Sequence, residues 1–200
     1  MAAAMMGQGR NSPMPKGAQS GFTLLEVLVS MTVLTVGLVS LLGVFGLAMA
    51  STQTSGQDMI AKQLANEAYD SIVTAHNTTQ IDWDDIQNVL STSCPISGAA
   101  TCGIFLTGPQ QIYNAGADGI YGTADDAASG QRQYLHDPGP DGIYGTPDDV
   151  YIYLTGYQRT ITITNVNETL RNVTITIQYA VTQAQLPKTY TLTSYVSEFQ

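Results

Sequence analysis

The longest apolar segment of the chain lies at residues 22–50, which read FTLLEVLVSMTVLTVGLVSLLGVFGLAMA. Glu26 is its only charged residue, and no charge follows between Val27 and Ala50. A helix rises about 1.5 Å per residue, so that about 20 residues cross the hydrocarbon core of a bilayer. The pattern therefore predicts a transmembrane helix over residues 22–50.

The helical pattern continues over residues 51–76 but becomes one-sided. Apolar side chains recur there at every fourth position, among them Ile60, Leu64, Ala68 and Ile72. This spacing is typical of a helix with one buried face. We therefore expect the second half of one long helix to pack against the remainder of the chain.

The C-terminal segment, residues 150–200, changes to a period of two. Apolar and polar residues alternate in four stretches: VYIYL (150–154), RTITIT (159–164), NVTITIQYAV (172–181) and KTYTLTSYV (188–196). Such alternation predicts antiparallel strands with one buried face. The predicted fold class is α+β, a long N-terminal helix packed on a four-stranded antiparallel sheet. Residues 77–149 are predicted to be a connecting loop region.

The charge of the chain is acidic, with 7 Lys and Arg against 16 Asp and Glu. Two of the bases, Arg10 and Lys16, lie in residues 1–21, ahead of the apolar segment. Loss of these 21 residues would change the net charge from −9 to −11, because 5 bases and 16 acids remain. An acidic surface repels nucleic acid, so we expect no nucleic-acid partner. The basic leader is expected to stay cytoplasmic.

The junction between leader and apolar segment carries the most specific motif, K-G-A-Q-S-G-F-T-L-L-E. It resembles the class III signal of type IV pilins and their secretion-system relatives. In that family, the residue matching Gly21 precedes the prepilin peptidase cut, and the residue matching Phe22 becomes the N-methylated N-terminus. The residue matching Glu26 takes part in assembly by meeting the amine of a neighbouring subunit. The resemblance thus assigns Gly21 and Phe22 to processing, and Glu26 and Phe22 to assembly.

The same resemblance implies a structural role and a set of partners. Residues 22–50 would serve first as a membrane anchor and then as the core of an extracellular filament. The implied partners are prepilin peptidase, the inner-membrane assembly platform and other pilin subunits, bound through the N-terminal helix. The implied location is the inner membrane for the precursor and then the pilus at the cell surface. Within the family, the helix sequence is most similar to minor pilins of the pilus-modification type.

Two alternatives to a pilus subunit stay open at this stage. A pseudopilin of a type II secretion system carries the same signal but forms a short periplasmic filament. A membrane-anchored, calcium-dependent surface binding module would not polymerise at all. An enzyme is not expected, because no nucleophile elbow, Walker loop or dinucleotide-binding motif is present.

An acidic repeat lies between the helix and the predicted strands. The first repeat, residues 114–127, and the second repeat, residues 137–150, are offset by 23 positions. Hard cations prefer several oxygen ligands on a curled, glycine-rich loop. Calcium is therefore a candidate cofactor, with eight candidate ligands: Asn114, Asp118, Asp125, Asp126, Asp137, Asp141, Asp148 and Asp149. The spacing is not that of an EF-hand, and simple Asp-Gly turns with solvated carboxylates are the alternative.

The two cysteines, Cys94 and Cys102, are eight positions apart in the connecting region. A pair at this separation can close a small disulfide loop in an oxidising compartment. The alternative is two unpaired, buried thiols. A zinc site is not expected, because neither the spacing nor the histidine content fits one.

Overall fold

A computed structural model describes residues 21–89, 103–180 and 187–199 of the chain. These residues belong to two compact units, one up to Leu47 and the other from Ala48 onward. Helix α1, Leu24–Asn77, contributes residues to both units. The predicted disulfide candidates, Cys94 and Cys102, lie outside the described residues.

The first unit consists of the apolar half of α1. Its large apolar side chains are all exposed. Its hydroxyl groups donate to carbonyls of their own helix, for example Ser30 to Glu26 at 2.7 Å and Ser40 to Val36 at 2.8 Å. These bonds satisfy the hydroxyls without water, as a lipid or helix-bundle environment requires. Of the described elements, α1 alone is long and apolar enough to cross a membrane, in agreement with the predicted anchor.

The second unit contains a four-stranded sheet that includes three of the four predicted strands. Its four strands are all antiparallel and lie in the order β1 (Gln110–Gln111), β4 (Tyr157–Asn167), β5 (Leu170–Tyr179) and β6 (Lys188–Ser197). The α+β fold class, a long helix with a four-stranded antiparallel sheet, is thereby confirmed. A second sheet has two strands, β2 (Tyr134–Asp137) and β3 (Val150–Tyr153).

One predicted strand joins a different sheet from the one expected. Residues 150–153 pair with β2 rather than with β4, in a register that places Tyr134 opposite Tyr153. The second repeat connects β2 directly to β3, so that this local pairing closes a much shorter loop. The position beside β4 is taken by β1. The side chain of Asn88 prolongs that pairing, since it bonds Ile161 O at 2.8 Å and Ile163 N at 2.7 Å.

The region predicted as a loop, residues 77–149, contains regular structure of its own. Besides β1 and β2, it holds a 3₁₀ turn at Trp83–Asp85 and the short helix α2 at Ala124–Ser129. These elements are too short for their periodicity to show in the sequence. They matter here because α2 begins inside the first acidic repeat.

The core of the second unit lies between α1 and the sheet. The helix contributes a face made mostly of small residues, and the sheet contributes the inward side chains of β5. The fully buried members include Ala61, Ala65, Ala68, Ile72, Val173, Ile175 and Ile177. Alanines on the helix allow its backbone to approach the sheet closely, so that the isoleucines of β5 fill the space between them.

Candidate functional sites

The predicted processing site lies directly before α1. Gly21 and Phe22 are outside the helix and exposed, with the Phe22 side chain 82 % accessible. Thr23 caps the helix, because the Glu26 N–H donates to its carbonyl at 3.0 Å and to its Oγ1 at 3.3 Å. A peptidase can therefore reach an exposed, non-helical bond between Gly21 and Phe22.

Glu26 lies in the first turn of α1, where the helix dipole favours a negative charge. Its carboxylate makes no hydrogen bond or ion pair with any described residue. A carboxylate at membrane depth costs about 2.5–3.5 kcal/mol on insertion scales, and such groups normally have a partner. The helix dipole recovers only about 0.3–1 kcal/mol of that cost. The geometry thus leaves Glu26 available to a cation from outside the chain.

The first acidic repeat is a compact loop closed by its own aspartates. Their oxygens accept five hydrogen bonds. Asp126 accepts the N–H groups of Gly116 at 3.0 Å and Gly122 at 2.6 Å. Asp125 accepts the Asp118 N–H at 3.2 Å and the Thr123 hydroxyl at 2.5 Å, and Asp118 accepts the Ile120 N–H at 2.8 Å. Gly122 has a φ of +94°, which an L side chain rarely adopts. The first repeat is therefore an ordered loop whose conformation is held by its own side chains.

Three of the predicted calcium ligands converge in this loop. One carboxylate oxygen from each of Asp118, Asp125 and Asp126 lies within 4.8 Å of the others. Asn114, the fourth candidate of this repeat, lines an open groove with Gln131 and Tyr134. Calcium takes six to eight oxygens, and a carboxylate oxygen that accepts one N–H keeps a second lone pair. Three carboxylate oxygens of the first repeat are therefore close enough to one another to be ligands of one hard cation.

A buried cation lies beside the first repeat. Arg159 of β4 approaches Asp126 at 3.9 Å, and the two side chains are only 3 % and 8 % exposed. The guanidinium also lies 4.6 Å from the centre of the Tyr121 ring, which is cation–π distance. Burial raises the pKa of Asp126, against the opposing effects of the Gly122 and Gly116 N–H groups and of Arg159.

The same cluster extends to helix α1 through Glu67. Its carboxylate accepts hydrogen bonds from the Tyr121 hydroxyl at 2.6 Å and from Gln133 at 3.2 Å. Burial and the neighbouring Glu67 raise the pKa of Tyr121 to about 12. The first repeat is thus attached to the helix by half-buried polar contacts and to the sheet by a buried one.

The second repeat has four of these five hydrogen bonds in matching positions; the fifth differs, because Gly139 N–H donates to Asp137 whereas Gly116 N–H donates to Asp126. The four matching bonds run from Gly145 N to Asp149 (2.7 Å), from Asp141 N and the Thr146 hydroxyl to Asp148 (3.4 and 2.6 Å), and from Ile143 N to Asp141 (2.8 Å). The φ angles at Gly142 and Gly145 are +69° and +89°, against +70° and +94° at Gly119 and Gly122. The central turns of the two repeats are therefore structural copies of one another, although only the first repeat continues into a helix.

A histidine takes the place of the arginine in the second copy. His136 Nε2 lies 2.6 Å from Asp149 Oδ2, and its ring contacts Tyr144 edge to face at 4.9 Å. Desolvation alone would raise the pKa of Asp149, but the Gly145 N–H, His136 and the Thr146 hydroxyl together lower it. Asp137, the remaining candidate ligand, accepts the Gly139 N–H at 3.0 Å. Among the described residues, the aspartates of this copy do not form a second three-ligand cluster.

Sequence reasoning did not predict the roles of Arg159, Glu67 and Tyr121. Arg159 is the one charged residue of the RTITIT stretch and occupies an inward position, as its burial shows. A basic residue on the buried face of a predicted strand indicates a buried acid elsewhere in the chain. That signal was present, but the sequence alone does not say which of the many acids is the partner.

Two features bear on the class of protein: an apolar helix with an early glutamate after an exposed Gly-Phe bond, and an antiparallel sheet on the second half of that helix. A family model, the prokaryotic N-terminal methylation motif, matches residues 16–42. The chain therefore carries a class III prepilin signal, which is consistent with a type IV pilin or a pseudopilin. The signal implies processing by prepilin peptidase and assembly with pilin subunits. No curated protein and no solved structure matches the chain.

Proposed function

We propose that this chain is a structural subunit, of the minor type, of a type IV pilus and has no enzymatic activity. The observation that carries the proposal is the N-terminal methylation motif over residues 16–42, with Gly21, Phe22 and Glu26 at its functional positions. The precursor is held in the inner membrane by the apolar half of α1. After cleavage, that half leaves the bilayer and joins the filament at the cell surface.

Assembly uses the charge that cleavage creates. Removal of residues 1–21 exposes the amine of Phe22, and methylation leaves that amine cationic. Glu26, which has no partner among the described residues, then pairs with the amine of an adjacent subunit. An ion pair in an apolar environment is strong because little water screens it. The pair therefore selects the register of one helix against the next.

The proposal is tested by replacing Glu26 with Ala and, separately, with Gln. We expect both variants to be trimmed after Gly21 and to be lost from filaments sheared off the cells. Ser40→Ala serves as the matched control, since its hydroxyl only bonds its own helix. Quantitative mass spectrometry of the sheared fraction gives the readout. Normal incorporation of both Glu26 variants would contradict the assembly mechanism.

The cellular location separates a pilus subunit from a type II secretion pseudopilin. A pilus subunit is expected in surface filaments, and its deletion should leave protein secretion unchanged. If the chain is instead confined to the periplasm and its deletion blocks secretion, it is a pseudopilin of the short secretion filament. An untrimmed chain that is absent from any filament would favour the tethered surface module.

Calcium binding by the first repeat stays a prediction, based on the three converging carboxylates. We expect calcium to raise the melting temperature of the full chain in detergent, and Asp125→Asn to abolish most of that shift. Asp148→Asn, the matching change in the second repeat, is the control and should retain it. An identical melting temperature with calcium and with a chelator would contradict the prediction.

A further inference from the structure

One face of the β2–β3 hairpin is a strip of aromatic rings. The strand register pairs Tyr134 with Tyr153 and His136 with Tyr151. Residues directly opposite one another, and residues two apart along a strand, share one face of a sheet, so the four rings form one aromatic strip. Tyr134 lies edge to face with Tyr151 at 5.1 Å and with Tyr153 at 5.8 Å, and the three tyrosines stay 45–57 % exposed. The rings thus hold one another in place while much of their surface stays open.

The aromatic strip lines part of a groove. The volume of this groove is about 520 Å³, within the range of about 300–1,000 Å³ that small-molecule sites occupy. Tyr134 and Tyr153 line it together with the polar residues Asn114, Gln131 and Arg132. The Asn114 N–H donates to the Gln131 carbonyl at 2.8 Å, which holds these two residues side by side. The groove therefore combines ring surfaces with a few polar groups that can orient a ligand.

The groove adjoins an inner cavity that contains an unpartnered, buried acceptor. This cavity of about 220 Å³ shares Asn114 and Tyr134 with the groove and is also lined by apolar residues of α1 and β2. Gln133 lines it and is only 7 % exposed, and its Nε2 donates to Glu67 at 3.2 Å. The Gln133 Oε1 is buried and has no donor among the described residues. Because an unsatisfied buried acceptor is unfavourable, this oxygen indicates that a donor enters the cavity from outside the chain.

The charges around the groove favour a ligand without net charge. Among the described residues that line it, Arg132 alone is charged. Its guanidinium donates to Gln111 at 2.8 Å and lies 5.2 Å from the centre of the Tyr113 ring, so that the cation is fixed at this position. This positive charge opposes a cationic ligand. An anionic ligand is opposed by the chain as a whole, since 16 acids and 5 bases remain after loss of residues 1–21.

We propose that the aromatic strip, the groove and the inner cavity together bind a neutral oligosaccharide. A sugar ring has an apolar C–H face that packs on a tyrosine ring, and hydroxyl groups at its edge that both donate and accept hydrogen bonds. The hydroxyls bond the polar groups of Asn114, Gln131 and Arg132, and one hydroxyl donates to Gln133 Oε1. An apolar peptide side chain would leave these polar groups without partners, which weakens binding. The site lies within one chain, so it needs neither a second copy nor a filament.

The first experiment measures binding of the full chain to a printed array of oligosaccharides. The chain is kept in a polyoxyethylene detergent, because a sugar-based detergent would compete for the site. The array holds neutral trimers to hexamers of hexoses and N-acetylhexosamines, with sialylated chains, sulfated chains and a neutral peptide for comparison. We expect a neutral oligosaccharide to bind at least about tenfold more tightly than the anionic chains and the peptide. Failure of every neutral oligosaccharide to bind, or preference for an anionic chain or the peptide, would overturn the proposal.

Substitutions in the aromatic strip test where the bound oligosaccharide lies. Tyr134→Ala and Tyr153→Ala are each expected to weaken its binding about tenfold, because each removes a ring surface that the sugar covers. Tyr134→Phe keeps the ring and should bind nearly as well as the unmodified chain. Tyr195→Ala is the matched control, since Tyr195 of β6 is 55 % exposed, against 57 % for Tyr153, and does not line the groove. Unchanged binding in both alanine variants of the strip, or an equal loss in the control, would show that the sugar does not bind here.

The folding of each variant is measured separately from its binding. We expect the melting temperature of Tyr153→Ala in the same detergent to match that of Tyr195→Ala, because both remove an exposed ring. A loss of binding that is accompanied by unfolding in Tyr153→Ala would contradict a direct contact between this ring and the sugar.

Discussion

The two acidic repeats have similar sequences and share four of their aspartate hydrogen bonds, but their environments are opposite. The first repeat lies between α1 and β4, and its Asp126 faces the buried Arg159. The second repeat forms the tip of the β2–β3 hairpin, and its Asp149 faces the partly exposed His136. The conformation of the central turn is thus determined by the sequence of the repeat. The contribution of each repeat to the free energy of unfolding depends on the residues that surround it.

This difference separates two roles for one motif. In the first repeat, the aspartates stabilise the loop and also compensate a buried cation, so that the loop is part of the core. In the second repeat, the same bonds hold an exposed loop whose apolar side chains face solvent. One copy of the duplicated loop is therefore built into the core, while the apolar side chains of the other copy stay exposed.

The largest difference between the repeats is expected when each cation is removed. Arg159→Met leaves Asp126 buried without a counter-charge, which typically costs about 3–5 kcal/mol. His136→Ala removes a partly exposed partner and should cost clearly less. Urea unfolding of the full chain in detergent, followed by the fluorescence of the single tryptophan Trp83, gives both values. Equal losses would show that the environments are energetically alike.

A similar contrast is expected for the matching isoleucines. Ile120→Ala removes a fully buried side chain, and such changes cost about 2–5 kcal/mol because a cavity remains. Ile143→Ala removes an exposed side chain and should change the stability by less than about 0.5 kcal/mol. The same unfolding assay applies. A large loss in Ile143→Ala would mean that this residue is covered within a single chain.

The smallest effect concerns acid. The pKa of Asp149 is lowered, so the stability it contributes is present above its unfolded value near 3.8 and is lost as the pH falls through the folded value. The pKa of Asp126 is raised, so its protonation on acidification favours the folded state. We expect the amide protection of Gly145 to fall about tenfold relative to that of Gly122 as the pH drops below 3.8. Equal protection would contradict these opposite shifts.

The sequence predicted the parts of this fold that depend on long periodic segments. The apolar run from Val27, the four-residue spacing around Leu64 and the alternation in β5 were sufficient for the helix and the sheet. The position of Val150–Tyr153 was not predictable in this way, because alternation identifies a strand but not its neighbour. The pairing was decided by the loop that joins β2 to β3.

The candidate sites also differ in how far they could be predicted, because some are formed by residues close in sequence and others by distant ones. Gly21, Phe22 and Glu26 are adjacent in sequence, so the motif could be found without a structure. The aspartates of each repeat are also local, and their convergence at Asp118, Asp125 and Asp126 follows from the turn chemistry of the loop. Arg159 lies 33 positions beyond Asp126, and only the folded chain brings the two together.

Mass spectrometry of the N-terminal peptide in filaments sheared from cells decides whether this chain is a trimmed filament subunit. We expect a peptide that begins at Phe22 and carries a methyl group on its amine. A sheared fraction that lacks the chain, together with a cellular form that still carries residues 1–21, would contradict this expectation.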